Sequence, residues 1–189
     1  MARVSETGVK DVFAFIDASD NVRLGAYLAS RPQAASARNL QNVSAIMYAL
    51  YRRNHDAVKM LRDRSLSLDV WEAAALGDDT IVRGLLQPGE DPDALSPDGY
   101  TALQLASFFG REYTVVLLLE LGADPNAVSA NPSRTRALHG AAAGRHLEVA
   151  RRLIVAGAEI DARQASGHTA LDAAIKNRDD DLARLLAPK

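Results

Sequence analysis

The chain of 189 residues contains no cysteine. It therefore cannot form disulfides, use a thiol as a nucleophile or hold zinc through thiolates, and it suits a reducing compartment. No apolar run approaches the roughly 18 residues that a membrane span needs. The opening residues, MARVSETGVKD, lack the apolar core of a signal peptide. These absences predict a cytoplasmic protein without a membrane partner.

Recognisable catalytic strings are missing as well. No nucleophile elbow, phosphate loop, HExxH or EF-hand pattern occurs. The acidic residues Glu90, Asp91 and Asp93 lie in an expected turn, where solvated carboxylates are the simplest interpretation. The sequence thus predicts no catalytic, cofactor-binding or metal-binding residues, and a protein that is not an enzyme.

The chain has no large excess of either positive or negative side chains, since its net charge is −2. Residues 1–65 carry ten basic and six acidic side chains, whereas residues 66–189 carry twelve and eighteen. The simpler explanation of this asymmetry is that the two ends of the chain expose different charged side chains to solvent. The alternative is that the asymmetry attracts a charged partner electrostatically. A chain with this balance is not expected to bind nucleic acid.

What the chain does have is a repeat. Gly89, Gly122 and Gly157 each follow a leucine- or isoleucine-rich stretch, at spacings of 33 and 35 residues. The strings TALQLASFFG, RALHGAAAGR and TALDAAIKNR begin successive units at Thr101, Arg136 and Thr169. The segment that leads into the second of these strings is two residues longer than its counterparts. A period near 33 residues indicates a stack of helix pairs, none of which can bury its apolar face alone.

These strings resemble the ankyrin repeat, and the unit RALHGAAAGRHLEVARRLIVAGAEIDA (residues 136–162) matches that family's consensus most closely. The resemblance implies an all-α ankyrin-repeat solenoid of about six stacked helix pairs with β-hairpin-like fingers. Thr101 and Thr169 are expected to cap first helices with their hydroxyls, and Gly122 and Gly157 to take the left-handed position that ends second helices.

The repeat register divides the chain. Residues 1–10 are expected to form an N-terminal tail and residues 11–189 a single ankyrin-repeat domain. The second and third units lie about nine residues closer than a full period, so the finger between them is expected to be missing or reduced to a tight turn at residues 65–67. Trp71 is placed at the position of the consensus histidine in the third unit. The expected helix pairs cover residues 11–38, 39–65, 66–94, 95–127, 128–162 and 163–189.

The order of three degenerate strings is similar to that of a bacterial subgroup of ankyrin-repeat proteins. An F-x-A-I-like start, an S-A-L-x-x-A-L-Y-like second unit and a D-V-F-E-A-A-A-L-G-like third unit occur in that order. The chain departs from these strings at Phe15, Ile46 and Trp71, each time by an apolar exchange. The resemblance implies a bacterial protein and says little about its function.

Histidines are the remaining candidates for chemistry. His139 lies on the consensus histidine, which in this family hydrogen-bonds to backbone within its own repeat, and His146 is interpreted in the same way. His139 and His146 are expected on different helices, so they do not form a metal site. His168 is expected in an exposed finger, and His55 has no companion.

The resemblance also implies where a partner binds, because fingertips and the exposed face of first helices line a concave groove in ankyrin solenoids. Four aromatic residues fall on groove positions in a chain with only 5% aromatic residues, and aromatic side chains are enriched in binding hot spots. Ala143 and Gly144 beside them are expected to leave room for a side chain or ligand ring. The predicted partner-binding residues are Tyr51, Arg52, Leu76, Asp98, Tyr100, Phe108, Phe109 and His168.

Three functions stay open on the sequence alone. The groove residues bind another protein, with the chain a monomer; this is the preferred hypothesis. Alternatively, the same aromatic residues form a small-molecule site or an atypical enzyme pocket, with Arg52, Asp98, His139 or His168 as polar groups. In the third case the chain is a folding or assembly spacer without a specific groove partner. A separate alternative for the two rings is that Phe108 or Phe109 packs against a neighbouring first helix and fills space across from Ala75 or Ala143.

Overall fold

The computed structural model describes residues 6–188, with side chains from residue 11 onward, and divides the chain into two compact units, Met1–Leu68 and Asp69–Lys189. The described residues form twelve α-helices and no strand longer than a single bridge. The all-α prediction is therefore confirmed. The helices are Glu6–Asp17 (α1), Asn21–Ser30 (α2), Ala45–Tyr51 (α3), His55–Arg62 (α4), Val70–Leu76 (α5), Asp79–Leu85 (α6), Ala102–Phe108 (α7), Glu112–Glu120 (α8), Ala137–Gly144 (α9), Leu147–Val155 (α10), Ala170–Lys176 (α11) and Asp180–Leu186 (α12).

The helices pair into six consecutive repeats, α1–α2 to α11–α12, as the sequence predicts. In the second unit the first helices α5, α7, α9 and α11 pack on one another in chain order, and so do the second helices α6, α8, α10 and α12. In the first unit α1 packs on α3 and α2 on α4. Each helix thus buries its apolar stripe against the equivalent helix of the neighbouring repeat within its unit.

The start of the chain differs from the expectation. The helix α1 begins at Glu6, inside the stretch predicted as a tail, and residues 1–5 lie outside the described residues. A short 3-10 helix, Pro32–Ser36, follows α2. The connection from α4 to α5 spans residues 63–69 without a described bridge, which agrees with the predicted loss of the finger there.

Every repeat turns from its first to its second helix in the same way. A left-handed residue is followed at once by the N-cap of the second helix, and this residue is Gly only at positions 77 and 110. In the other four repeats a residue with a side chain adopts this left-handed backbone, which costs roughly 1–2 kcal/mol relative to a right-handed one. The left-handed residues are Ser19, Arg53, Gly77, Gly110, Arg145 and Arg178.

The fingers form a second regular series. In each, a backbone N–H donates across the turn: Asn39 to Val43, Ser96 to Tyr100, Ser129 to Thr135 and Gln164 to His168, at 2.8–2.9 Å. The residue before the closing one is left-handed in every case: Asn42, Gly99, Arg134 and Gly167. Two of the fingers thus turn at Asp98-Gly99 and at Ser166-Gly167.

The core repeats along the second unit except at its last repeat. Leu103 and Leu138, which occupy equivalent positions, are buried, whereas Leu171 is half-exposed because α11 has no first helix beyond it within the described residues. Gly84 in α6 has no atom within 4 Å of the place where a Cβ would stand, so close packing does not require a glycine there. The largest buried side chains of the second unit are Leu103, Leu118, Leu138, Leu153, Leu182 and Leu186.

Candidate functional site

The first helices of repeats four and five are fixed to the next finger by one polar side chain each. Gln104 accepts from the Thr101 N–H through Oε1 at 3.0 Å, and its Nε2 donates to the Ala127 carbonyl at 2.8 Å. His139 accepts from the Arg136 N–H through Nδ1 at 3.2 Å, and its Nε2 lies 3.0 Å from the Ala162 carbonyl. The structural role predicted for His139 is therefore confirmed, and the two contacts assign a neutral ring with the proton on Nε2.

In repeat three, two adjacent residues make the two hydrogen bonds that Gln104 and His139 each make alone, one to the N-cap residue and one to the carbonyl before the next finger. Glu72 closes the capping box with Asp69, while the indole Nε1 of Trp71 donates to the Ala94 carbonyl at 2.9 Å. The first helices of repeats three and four have the same length, but the left-handed Gly77 follows the N-cap Asp69 by eight residues, whereas Gly110 follows Thr101 by nine. Trp71 thus makes the hydrogen bond of the consensus histidine, as its placement in the sequence predicts, although Glu72 holds the capping position.

Burial lowers the pKa of His139, and its position next to the Arg136 guanidinium adds to this. The hydrogen bonds to backbone oppose the shift without cancelling it. Burial also lowers the pKa of His146. Both rings are therefore neutral at pH 7, and the Nε2 of each lies 3.0 Å from a backbone carbonyl oxygen.

Phe108 and Phe109 stand at the carboxyl end of α7 as an edge-to-face pair, with ring centroids 5.1 Å apart. Phe108 is 37% exposed and Phe109 is half-buried. The main chain of Gly140 in α9 approaches the base of Phe108 so closely that an added Cβ would lie 3.4 Å from the Phe108 Cβ. The stem of Phe108 is thus packed on the next repeat while much of its ring faces solvent.

Gly144 does not leave room for a ligand. A Cβ at Gly144 would collide with the His146 ring, whose Nε2 reaches the Phe108 carbonyl at 3.0 Å. The space that the sequence assigned to a partner is therefore occupied by a side chain of the same chain. The prediction for His146 is also corrected, because its hydrogen bond goes to the preceding repeat rather than to its own.

Asp98 and Tyr100 lie in the finger that precedes α7. The Ser96 hydroxyl donates to Asp98 Oδ1 at 2.6 Å and accepts from the Tyr100 N–H at 2.9 Å. Both residues are partly exposed. The finger therefore holds Asp98 and Tyr100 in a fixed turn, with Asp98 engaged by its own loop.

The two other predicted residues of the second unit lie at opposite ends of it. Leu76 is the last residue of α5 and is half-exposed. His168 is exposed in the last finger, where its Nδ1 lies 2.8 Å from the Ser166 hydroxyl. Leu76 and Phe108 are both the last residues of first helices, and we call the exposed ends of these helices the first-helix row. His168 lies at the tip of a finger instead.

Tyr51 and Arg52 belong to the first unit, unlike the other six predicted residues. Tyr51 ends α3 and is half-buried, and Arg52 is exposed. The Arg52 guanidinium lies 3.2 Å from an oxygen of Asp17, which also accepts the Tyr48 hydroxyl at 2.8 Å. Arg52 thus already has an ion-pair partner at the end of α1.

One surface feature was not singled out from the sequence. The finger at residues 129–135 carries two extra residues and presents Arg134, which has a left-handed backbone, to solvent. The extra length was visible in the repeat register, but its consequence for exposure depends on the neighbouring fingers. Arg134 is therefore an additional candidate for partner contact.

Two cavities lie elsewhere. One of about 680 Å³ is formed at the last repeat by residues from Ile160 to Pro188, and one of about 380 Å³ lies against α6 near Arg83. None of the eight predicted residues lines either cavity. Among the side chains of residues 11–188, no three His, Asp or Glu gather in a way that could hold a metal ion. No helix in that range combines the length and apolarity required to cross a membrane.

A family model described as "Ankyrin repeats (3 copies)" matches residues 70–164 and, in a second placement, 115–189. Cyclin-dependent kinase 4 inhibitor B of Bos taurus is 38% identical over 119 residues, which are 62% of this chain and 88% of that protein. The Mus musculus protein of the same name is 37% identical over 115 residues, 60% of this chain and 86% of that protein. Glycerophosphocholine phosphodiesterase gde1 of Schizosaccharomyces pombe is 35% identical over 97 residues, 51% of this chain but only 8% of that protein. The chain belongs to the ankyrin repeat family.

Proposed function

We propose that this chain is a non-catalytic protein-interaction module whose second unit binds a partner through the row of first-helix ends and fingertips. The observation that carries the proposal is the Phe108–Phe109 pair, whose rings are held together yet remain partly exposed. Rigid aromatic side chains bind with little loss of conformational entropy, and they dominate the energy of many interfaces. Tyr100, Leu76, Asp98 and His168 supply the surrounding contacts. Contact of a partner with Tyr51 and Arg52 in the first unit is a separate part of the proposal.

The relatives favour a protein as the partner. Two of them are named inhibitors of cyclin-dependent kinase 4, and the matched region makes up most of each protein. Binding to another protein is thus carried out by ankyrin repeats of similar sequence. The match to a phosphodiesterase covers too little of that enzyme to favour catalysis by these repeats. The finer parts of the proposal are a monomeric, cytoplasmic protein of bacterial type that binds neither nucleic acid nor membranes.

A small-molecule site in the groove is less well supported. A pocket for a small ligand encloses most of the ligand's surface and brings a few polar groups together. The two described cavities lie away from the aromatic pair, and His146 fills the space beside Gly144. The observations therefore favour an extended contact surface over a closed pocket.

The test is the double variant Tyr100→Ala with Phe108→Ala. Alanine retains the Cβ of Phe108 that packs near Gly140 and removes the exposed ring, so the melting temperature is expected to change little. Capture of partner proteins from a lysate of the source cells is expected to fall at least tenfold. Tyr113→Ala is the matched control, because Tyr113 is an aromatic residue that is 82% exposed on the second helix α8.

Two outcomes contradict the proposal. If the double variant unfolds, the rings are core residues and the binding surface lies elsewhere. If the Tyr113 variant loses the same captured proteins as the double variant, capture does not depend on the first-helix row. Purified cyclin-dependent kinase 4 serves as a defined probe in the same assay.

A further inference from the structure

The long finger at residues 129–135 is held rigid by its neighbours. Its Ala130 N–H donates to the Gly99 carbonyl of the preceding finger at 2.8 Å, and its Ser133 carbonyl accepts from the Ala165 N–H of the following one at 2.9 Å. Asn131 adds a side-chain bond, since its Nδ2 donates to the Asp98 carbonyl at 3.1 Å. A loop fixed from both sides presents its tip without an ordering cost on binding.

The tip of this finger is cationic. Arg134 is exposed, and within the described residues its guanidinium has no hydrogen bond or ion pair. Lys176, the last residue of α11, is likewise exposed and has no described side-chain partner. Lys176 lies two residues before the left-handed Arg178, as Phe108 lies two residues before Gly110, so the two occupy equivalent positions on their first helices.

The acidic residues of the second unit are concentrated on the other side of the repeats. The second helices and the loops after them (78–94, 110–127, 145–162 and 178–188) carry fourteen acidic and seven basic residues. The fingers and first helices (69–77, 95–109, 128–144 and 163–177) carry four of each. All four acids there accept hydrogen bonds from their own helix start or turn: Asp69, Glu72, Asp98 and Asp172.

Two of the four basic residues on that side are likewise engaged. Arg136 donates to the Asn126 carbonyl and pairs with Glu159, and Arg163 donates to the Gly167 carbonyl. Arg134 and Lys176 are therefore the two cationic side chains on the fingers and first helices that no described hydrogen bond or ion pair holds. This side has no net charge, whereas the second helices and the loops after them carry seven more acidic than basic residues, so an acidic partner is repelled less on the side of Arg134 and Lys176.

We propose that Arg134 and Lys176 bind carboxylates of an extended, acidic segment of the partner protein, whose apolar residue contacts Phe108 and Phe109. This inference rests on the proposed function and names the chemistry of its partner. Neighbouring first helices lie roughly 10 Å apart, so Phe108 and Lys176, two repeats apart, are separated by roughly 20 Å. An extended chain covers that distance in about six residues. The segment therefore carries an apolar anchor and an acidic residue about six positions apart.

The experiment selects a random twelve-residue peptide library, displayed on phage, against the full chain. Enriched peptides are expected to contain an aromatic or leucine residue and to exceed the starting library at least twofold in aspartate and glutamate. The best peptide is then synthesised, and its affinity for the wild type, Arg134→Glu, Lys176→Glu and Arg178→Glu is measured by fluorescence anisotropy. Arg178 is the matched control, because it is an exposed arginine with a left-handed backbone, as Arg134 is, but begins the acidic side of repeat six.

Arg134→Glu and Lys176→Glu are each expected to weaken binding at least tenfold, and Arg178→Glu less than twofold. A peptide whose acidic residue is changed to lysine is expected to regain affinity for one of the two charge-reversed variants. Enriched peptides without acidic bias, equal losses in all three variants, or a selection that yields no binder would each overturn the proposal.

The same peptides separate this inference from the proposed function. If the Tyr100→Ala, Phe108→Ala variant binds them as the wild type does while Arg134→Glu does not, the acidic preference stands and the aromatic surface is wrong. If the aromatic variant loses binding but charge reversal has no effect, the surface stands and its acidic partner is wrong.

Discussion

Both units join neighbouring repeats by bonds between side chains, as Thr114 to Asp79 and Arg152 to Glu112 do in the second unit, but the second unit adds a kind of hydrogen bond that is not described in the first. In the second unit, side chains reach the main chain of the preceding repeat: Arg111 to the Ala75 carbonyl, His146 to the Phe108 carbonyl and Asn177 to the Ala142 carbonyl. In the first unit, the described cross-repeat bonds join side chains, as between Asn54 and Asn21 or Tyr48 and Asp17. The edge-to-face pair of Phe13 and Tyr48, with centroids 5.1 Å apart, adds an aromatic contact there.

A bond to a carbonyl places no demand on the side chain that carries the carbonyl. It can therefore recur from repeat to repeat while the sequence changes, and only the donor has to be kept. A bond between two side chains needs both partners and is lost when either changes. The second unit should thus respond strongly to changes of single donors or of the space around them, whereas the first unit should show smaller, coupled effects.

The largest effect is expected for Gly110→Ala. An alanine Cβ would collide with the His146 ring, and φ at this position is +70°. Overpacking and the left-handed backbone together predict a loss of about 3 kcal/mol in the free energy of unfolding, measured by urea denaturation. The second unit would thereby lose the geometry that lets His146 reach the preceding repeat.

Gly122→Ala is the control for the backbone term alone, because its φ is also positive, at +92°, and no atom lies within 4 Å of the place where a Cβ would stand. About 1 kcal/mol is expected there. The double variant Gly110→Ala, His146→Ala should recover part of the loss. Equal costs at the two glycines would show that the collision contributes nothing.

The next largest effect is expected for His139→Leu, which removes a donor and an acceptor from a buried place. It leaves the Arg136 N–H and the Ala162 carbonyl without the ring that bonds both. Two lost partners predict a decrease of about 2 kcal/mol in the free energy of unfolding. His139→Gln should cost much less, because Gln104 makes the same two bonds in the preceding repeat. If leucine and glutamine were equally destabilising, the shape of the ring rather than its hydrogen bonds would matter.

A pH titration of stability examines the same two histidines without changing the packing. Burial lowers the pKa of His139 and of His146 in the folded protein, whereas an unfolded histidine titrates near a pKa of about 6.5. The stability that these neutral rings contribute is therefore complete above pH ~6.5 and is lost as the pH falls below it, because the unfolded chain binds protons first. Urea midpoints at a series of pH values should fall less steeply for His139→Gln than for the wild type. Parallel curves would assign the pH dependence to other groups.

Much of the fold could be predicted from the sequence because each repeat carries its own local signals. Thr101 and Thr169 accept from the third backbone N–H of their helices, as their hydroxyl-containing strings indicate. Gly122 and Gly157 have φ of +92°, as the ends of second helices require. These signals act within a few residues, so the order of helices, caps and fingers follows from the order of residues.

Features that depend on a neighbouring repeat could not be predicted in this way. The sequence shows that Gly144 is small, but not that the ring of His146 crosses it to reach the Phe108 carbonyl. The partial exposure of Phe108 depends on Gly140, which lies 32 positions later in the chain. The repeat consensus predicts which residues lie in the first-helix row. The space beside each of these residues, however, depends on contacts between repeats.

The smallest effect is expected in the first unit, from Tyr48→Phe. The change removes the 2.8 Å hydrogen bond to Asp17 and retains the ring that contacts Phe13. The bond also raises the pKa of Tyr48, which places the Asp17 carboxylate as its acceptor. Because the pair is exposed, a loss below about 1 kcal/mol is expected. Asp17→Ala also removes the ion pair with Arg52, so it should cost somewhat more, and in a double-mutant cycle the combined loss should fall short of the sum by the worth of the shared bond. Additive losses would mean that Tyr48 and Asp17 stabilise the first unit independently, and the contrast with the backbone-directed bonds of the second unit would then disappear.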